Sequence, residues 1–349
     1  MTFRRLVITS LFLSGAWVGT AFAASAGAQY KIVTASEKGT YIVIGRDLAT
    51  YIAAPVGIEL ESLPSAGSAE NIRRLRLEPG VKFALVQSDV YQAFLDQAAA
   101  GNASAGTMIR PLRVILPLYN EEINFIVRAD SPMNFVHEIK DARINTGPVG
   151  SGTALSMTTL YRLMFNTPLP EAKASLLSNE DALLKLITDK SVDVVAIVAG
   201  QPAKLFTDMK PEVRQFIKML KVDPDHPATQ AALKTYFKAV LHASSYPNLL
   251  NEDIAAFAVK AYLVTYDYNL QDTRVNLGRF ARSLCQNFAT LQEQGHPKWK
   301  EVELAMPDLG AGWSYYPQTA QEISRCLAGR PKPKPKCTLE NTVLGLCEK

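Results

Sequence analysis

From residue 30 onward one pattern recurs along the chain: a short β-branched or apolar run, a loop of small polar residues, then apolar positions at helical spacing. Residues 30–34 lead through a loop at 36–40 to a helical segment at 41–53, with Ile44, Leu48, Tyr51 and Ile52 on one face. Residues 58–63 lead through 64–68 to 69–77, and 81–86 lead through Gln87 and Ser88 to 89–99. The pattern returns at 143–146, 147–153 and 154–165, and again at 192–198, 199–202 and 203–209. Strands separated by helical segments predict βαβ units, an α/β fold and mainly parallel sheets. The runs at 81–86 and 192–198 are almost wholly apolar, as expected of strands covered on both faces.

Composition narrows the classes. With 349 residues, 48% of them apolar, the chain can bury a core large enough for two lobes, and it is not a disordered polymer. A net charge of +4 from 37 basic and 33 acidic residues gives no footprint for nucleic acid. Arg4 and Arg5, an uncharged and mostly apolar stretch at 6–20, and Ala21-Phe22-Ala23 read as a cleaved signal peptide over 1–23. No later stretch has the roughly 18 consecutive apolar residues of a membrane span, so a soluble periplasmic protein is expected. Export also bears on Cys285, Cys326, Cys337 and Cys347, which are expected to form two disulfides. Three pairings are open, and proximity in sequence favours Cys285–Cys326 with Cys337–Cys347.

The strand-to-helix loops carry the candidate chemistry. Ligands of open α/β sheets lie beyond the carboxyl ends of the strands, where helix N-termini offer unpaired N–H groups to a carboxylate or phosphate. Thr40, Ser68, Ser88 and Thr153 stand at such helix starts, where each is expected either to meet the ligand or simply to cap its helix. The loop Gly147-Pro148-Val149-Gly150-Ser151-Gly152-Thr153 lacks the lysine of a phosphate-binding loop. Neither a Gly-x-Ser-x-Gly elbow nor a His-Glu-x-x-His pair is present, and His137, His226, His242 and His296 share no ligand spacing. Glu121-Glu122 and Glu252-Asp253 read as solvated surface pairs. A binding protein without metal or cofactor is expected rather than an enzyme.

Several of these motifs, taken in order, resemble the TAXI family, the solute-binding subunits of one branch of the TRAP transporters. The resemblance runs from about residue 29 to 325. Its pieces are Thr34, Gly39-Thr40-Tyr41 and Gly45; Ser65-Ala66-Gly67-Ser68 with Asn71; and Leu85-Val86-Gln87-Ser88-Asp89. They continue with Leu118-Tyr119-Asn120-Glu121, the 127–131 segment, and the 147–153 loop, the most specific of them. Two places depart from the family: Glu37 and Lys38 stand in a loop that is usually smaller and richer in glycine, and Gly312 to Tyr316 replace a different C-terminal segment.

The resemblance implies a two-lobed periplasmic-binding-protein fold of the second type. It further implies a small carboxylate ligand, such as glutamate, glutamine or a dicarboxylate like 2-oxoglutarate, and a TRAP-type permease as partner. Lobe one is expected at 29–124 plus 244–325 and lobe two at 125–243, with hinges near 122–130 and 238–246. Residues 326–349 form an appendage containing a Pro/Lys-rich spacer at 330–336. Gly39, Thr40, Tyr41, Ser65, Gly67, Ser68, Gln87, Ser88 and Tyr119 would line one side of the cleft. Gly150, Ser151, Gly152 and Thr153 would face them, with Gln201 as a further candidate. A ligand carboxylate would sit at the helix following Thr153, held by backbone N–H groups and the Ser151 and Thr153 hydroxyls. Glu37 faces either a ligand ammonium or solvent, and the protein is expected to be monomeric. An ABC-importer binding protein for nitrate, a sulfonate or a thiamine precursor, and a secreted enzyme using the same cleft, are the competing readings.

Overall fold

The structure, a computed structural model, describes residues 27–37, 39–310 and 312–329. The expected signal peptide, the 330–336 spacer, Lys38, and Cys337 and Cys347 lie outside the described residues. The chain begins with β1 (Ala28–Val33), β2 (Ile58–Leu63) and β3 (Val81–Gln87), joined by α1 (Thr40–Asp47) and α2 (Ser68–Leu77). These three strands are parallel. The helical face expected at 41–53 is present, but beyond Asp47 it continues as irregular turns at Leu48–Ala53 and Ala54–Val56, ending at Gly57 with φ of +67°. After α3 (Val90–Ala99) and α4 (Ala103–Ile109) comes β4 (Leu112–Arg128).

The second lobe contains β5 (Ile144–Asn145), α5 (Gly152–Phe165), β6 (Ala174–Ser175), α6 (Asn179–Ile187) and β7 (Val194–Ala199). It continues with α7 (Lys204–Thr207), β8 (Ile217–Met219), α8 (Pro227–Ala232) and β9 (Phe237–Leu241). Strand β10 (Ile254–Tyr266) returns, and α9 (Gln271–Gln286), α10 (Phe288–Gln294) and α11 (Pro317–Ala328) pack on the first lobe.

One sheet runs through both lobes in the order β2-β1-β3-β10-β4-β7-β5-β6, with β8 on β4 and β9 on β10. It is mixed rather than mainly parallel, because β4 and β10 run antiparallel to each other through the middle. At ~3.3 Å per residue, the 17 residues of β4 reach about 55 Å, enough to serve both lobes. Its first half pairs with β10, and residues 122–127 pair with β7. Side chains alternate between faces, so each lobe has two core layers. In the first, Ile32, Phe83, Leu85 and Phe280 pack on one face, and Val33, Ala84, Val86 and Val264 on the other. In the second, Phe125, Val127, Met157 and Val194 oppose Ile126, Val195, Ile197 and Phe206.

This is the two-lobed α/β architecture expected from the resemblance. The return crossing differs in place. Tyr246, Leu250, Ile254 and Ala256 still pack with Ile126 and Phe206 in the second lobe. Strand β10 joins the first lobe's β3 at Ala261, opposite Gln87, well after the expected 238–246. Cys326 lies within α11, not in an appendage, and bonds Cys285 of α9 with a Cα–Cα distance of 6.4 Å. That is the pairing favoured by proximity.

Candidate functional site

The middle of β4, the carboxyl end of β3 and the N-termini of α1, α2 and α5 meet at the seam between the lobes. Tyr41 enters from the first turn of α1 and donates its hydroxyl to Glu121 Oε2 at 2.6 Å, both groups buried. The Gln87 backbone N–H donates to Ser68 Oγ at 3.1 Å, while its side-chain carbonyl accepts from Ser156 Oγ at 3.4 Å. The Gln87 side chain also lies close enough to Glu121 to favour its ionised form. Gly152, the first residue of α5, leaves room for the Gln87 amide: a Cβ there would lie 2.1 Å from Gln87 Oε1 and would displace that side chain. Gly67 adopts φ of +129°, and a Cβ on it would stand 3.0 Å from the Gly152 nitrogen. The two glycine-rich loops therefore touch directly, one from each lobe.

Acidic groups crowd the same place. Glu121 is 5% exposed and Glu122 4% exposed, so this pair is buried, contrary to its reading as a solvated pair. The reason is that β4 passes between lobes here, covered by neighbouring strands on both edges. Burial pushes the Glu121 carboxyl up to about 7, against the hydrogen bond from Tyr41 and the influence of the nearby Gln87 amide. Glu122 is raised by burial and drawn back by Lys298. Lys298, 2% exposed, reaches in from the turn at Pro297–Glu301 and lies 2.7 Å from Glu301 and 3.8 Å from Glu122. Its Nζ stands 5.5 Å from the centre of the Tyr119 ring. Among the described residues the buried Tyr119 hydroxyl has no hydrogen-bond partner, and burial together with Glu121, Glu301 and Glu122 raises its pKa.

Behind Gln87, Asp89 Oδ2 accepts the Tyr236 hydroxyl at 2.9 Å, and that hydroxyl lies equally close to the Ser156 carbonyl. Asp89 Oδ1 is buried without a partner, and burial pushes the carboxyl up to about 6. Nearer the rim, the Arg162 guanidinium of α5 pairs with Asp96 of α3. Among the described residues, no group of three or more His, Cys, Asp or Glu side chains is placed to hold a metal ion.

Residues 32–306 match the NMT1-like family. The chain belongs to that family. No curated protein matches it. Solved structures similar to this NMT1-like chain include the periplasmic binding protein BugD, at 15% identity and a TM-score of 0.47, covering 86% of this chain and 94% of that one. The putative periplasmic sulfonate-binding protein SsuA from Methylobacillus flagellatus KT has 11% identity and a TM-score of 0.46, covering 86% and 77%. A TctC solute-binding protein from Polaromonas has 15% identity and a TM-score of 0.41, covering 88% and 98%. The matched NMT1-like region contains every seam residue named above, from Tyr41 to Glu301, and ends before α11.

Within this NMT1-like frame the expected site residues divide into two sets. Tyr41, Gly67, Ser68, Gln87, Tyr119 and Gly152 converge on the seam. Gly39 and Thr40 open α1, half-buried, and Gly150 lies beside Ala66 of the other lobe. The remaining hydroxyls and amides are committed to the scaffold. Ser65 bonds the Thr34 carbonyl and Asn71, Ser88 accepts the Lys260 N–H, and Ser151 caps α5 through the Ala154 N–H. Thr153 Oγ1 accepts the Val198 N–H at 3.3 Å, and Gln201 bonds Glu122, Val240 and His242. Glu37 is exposed. Sequence reasoning missed Glu121, Glu122, Asp89, Ser156, Tyr236 and Lys298. Asp89 and Glu121 stood inside recognised motifs, whereas nothing local marks Lys298.

Proposed function

We propose that this NMT1-like protein is an extracytoplasmic solute-binding protein that closes its two lobes over a small carboxylate and delivers it to a membrane permease of TRAP type. Glutamate, glutamine and dicarboxylates such as 2-oxoglutarate are the candidate ligands. The observation that carries this reading is the seam itself, where buried polar groups from both lobes converge while the Tyr119 hydroxyl is left without a partner. Closure over a ligand that satisfies such groups lowers the energy of the closed form alone, and that difference is what a permease reads. The N-terminus of α5 is the place for the carboxylate, since backbone N–H groups of a first helical turn have no partner inside the helix. Nucleophile and general-base geometry is not part of this reading, so the protein acts as a receptor and not an enzyme. Export through the 1–23 signal and a monomeric state belong to the same proposal.

A thermal-shift screen of the mature protein against amino acids, dicarboxylates, nitrate and small sulfonates tests it. A ligand at 100 times its dissociation constant stabilises by about 2.7 kcal/mol, which is easily read. Silence from every carboxylate, with a response to nitrate or a sulfonate, replaces this ligand class by that of the ABC-importer reading. Turnover of a stabilising ligand would overturn the receptor assignment.

A further inference from the structure

The seam is short of positive charge. Asp89, Glu121 and Glu122 place three buried carboxylates there, and among the described residues Lys298 is the buried cation that answers them. Lys298 is itself engaged by Glu301 at 2.7 Å, and the acid nearest to it within the seam is Glu122. Glu121 is faced by the Tyr41 hydroxyl from α1, by Gln87 from β3, and by Tyr119 and Glu122 of its own strand, and Lys298 is the one cation that acts on it, as the weakest of these influences.

The seam is also short of hydrogen-bond donors. Among the described residues, Asp89 Oδ1 is a buried acceptor without a partner, as is the amphoteric Tyr119 hydroxyl. Tyr119 stands two residues before Glu121 on β4, on the same face of the strand. Unpaired buried acceptors are costly, and a group carrying several N–H bonds relieves more than one of them.

We infer that the ligand carries a protonated amine, received by the Glu121 carboxylate with the Tyr119 hydroxyl beside it, so that the receptor selects amino acids over the same skeleton without the amine. This rests on the seam being the ligand site. It narrows the proposed carboxylates to zwitterions, with the carboxylate at α5 and the ammonium on β4. An ammonium ion against Glu121 also favours its ionised form, which burial otherwise disfavours. Binding near neutral pH is therefore accompanied by proton release.

Isothermal titration of the mature protein with each standard amino acid, and with 2-oxoglutarate, glutarate and the other desamino analogues, tests this directly. The best amino acid is expected to bind at least about tenfold more tightly than its desamino analogue. Repeating the titration in buffers of different ionisation enthalpy is expected to reveal the released proton. Glu121→Gln, which keeps the shape, is expected to bring the pair to within about threefold by weakening the amino acid. Equal binding of the desamino analogue to the native protein overturns the inference while leaving the receptor reading intact, and this comparison needs no variant. Full preference retained in Glu121→Gln removes Glu121 as the receiving group. Stabilisation by sodium chloride but not choline chloride, without organic ligand, would assign the missing charge to an inorganic cation instead. Silence of the whole panel overturns the carboxylate ligand class and the inference with it.

Discussion

Tyr236 of the second lobe donates its hydroxyl to Asp89 of the first at 2.9 Å, with both residues buried. Asp89 stands directly after β3, where the sheet hands over to α3, and Tyr236 follows α8. The bond therefore ties together the carboxyl end of one lobe's sheet and the outer layer of the other lobe. On the closure proposed above, this bond forms only when the lobes come together, and it is then expected to contribute to closure more than to the folding of either lobe.

Tyr236→Phe keeps the ring, which packs near Phe257, and deletes the hydroxyl. The closed form is expected to lose about 1–2 kcal/mol, raising the ligand dissociation constant about fivefold to thirtyfold, since one bond to a charged or polar partner is at stake. Titration calorimetry reads the affinity, and small-angle scattering reads the shift toward an open shape without ligand. An unchanged affinity with a lowered melting temperature would make the bond a matter of folding, not closure.

The two raised carboxyls give a pH dependence with a definite sign. Burial pushes Asp89 from 3.8 to about 6 and Glu121 from 4.5 to about 7. Between the ordinary and raised values the native protein holds protons that the unfolded chain has already released. Stability is therefore greatest on the acid side of this window and falls as pH rises from about 4 toward 7, by up to about 3 kcal/mol for each group. Surface carboxylates with the opposite shift, such as Asp189, held down to about 2 by Ser191, finish titrating below pH 5. Urea unfolding from pH 5 to 8 is expected to show a decline that flattens in Asp89→Asn and in Glu121→Gln. Parallel curves for all three proteins would mean that these carboxyls are solvated in solution.

Loop chemistry was legible in the sequence because it is local. The glycines and hydroxyls of 147–153 announce a helix start, and Ser151 does cap α5. The contact between Gly67 and Gly152 follows from two such loops at the carboxyl ends of strands. The acids were misread because two adjacent glutamates look alike at a surface and in a crossing strand. What buries Glu121 is its register with Val259 on β10, a long-range pairing that no local pattern encodes. Lys298 is more remote still, since it arrives from a turn whose own sequence shows only His296-Pro297. The Cys285–Cys326 bond was readable from proximity, yet its place between α9 and α11 was not.

Thr153 separates scaffold from ligand. Its Oγ1 accepts the Val198 N–H at 3.3 Å, joining the start of α5 to β7. Thr153→Val leaves that N–H without its acceptor, so a stability loss of about 1–2 kcal/mol is expected from unfolding curves. Ligand affinity should change by less than about twofold, a difference well under 1 kcal/mol. A large loss of affinity at unchanged stability would return the hydroxyl to the ligand's side of the site.

The Cys285–Cys326 bond fastens α11 to α9 across a sequence separation of 41. Cross-linking a loop of that length removes unfolded-state entropy worth about 4 kcal/mol in the chain-entropy treatment. Cys285 is fully buried against the first lobe's core, so its replacement must keep volume as well as remove the bond. Cys326→Ser is the cleaner variant, because Cys326 is only partly buried. This variant, alkylated at Cys285 only after unfolding, is expected to unfold at distinctly lower urea concentration than the native protein. Dithiothreitol should lower the native midpoint toward that of the variant while leaving the variant's own midpoint nearly unchanged. Ligand affinity at 20 °C is expected to stay within about twofold of native, because the bond joins α9 and α11, which supply none of the seam residues named above. A loss of affinity matching the loss of stability would show that α11 transmits its position to the cleft.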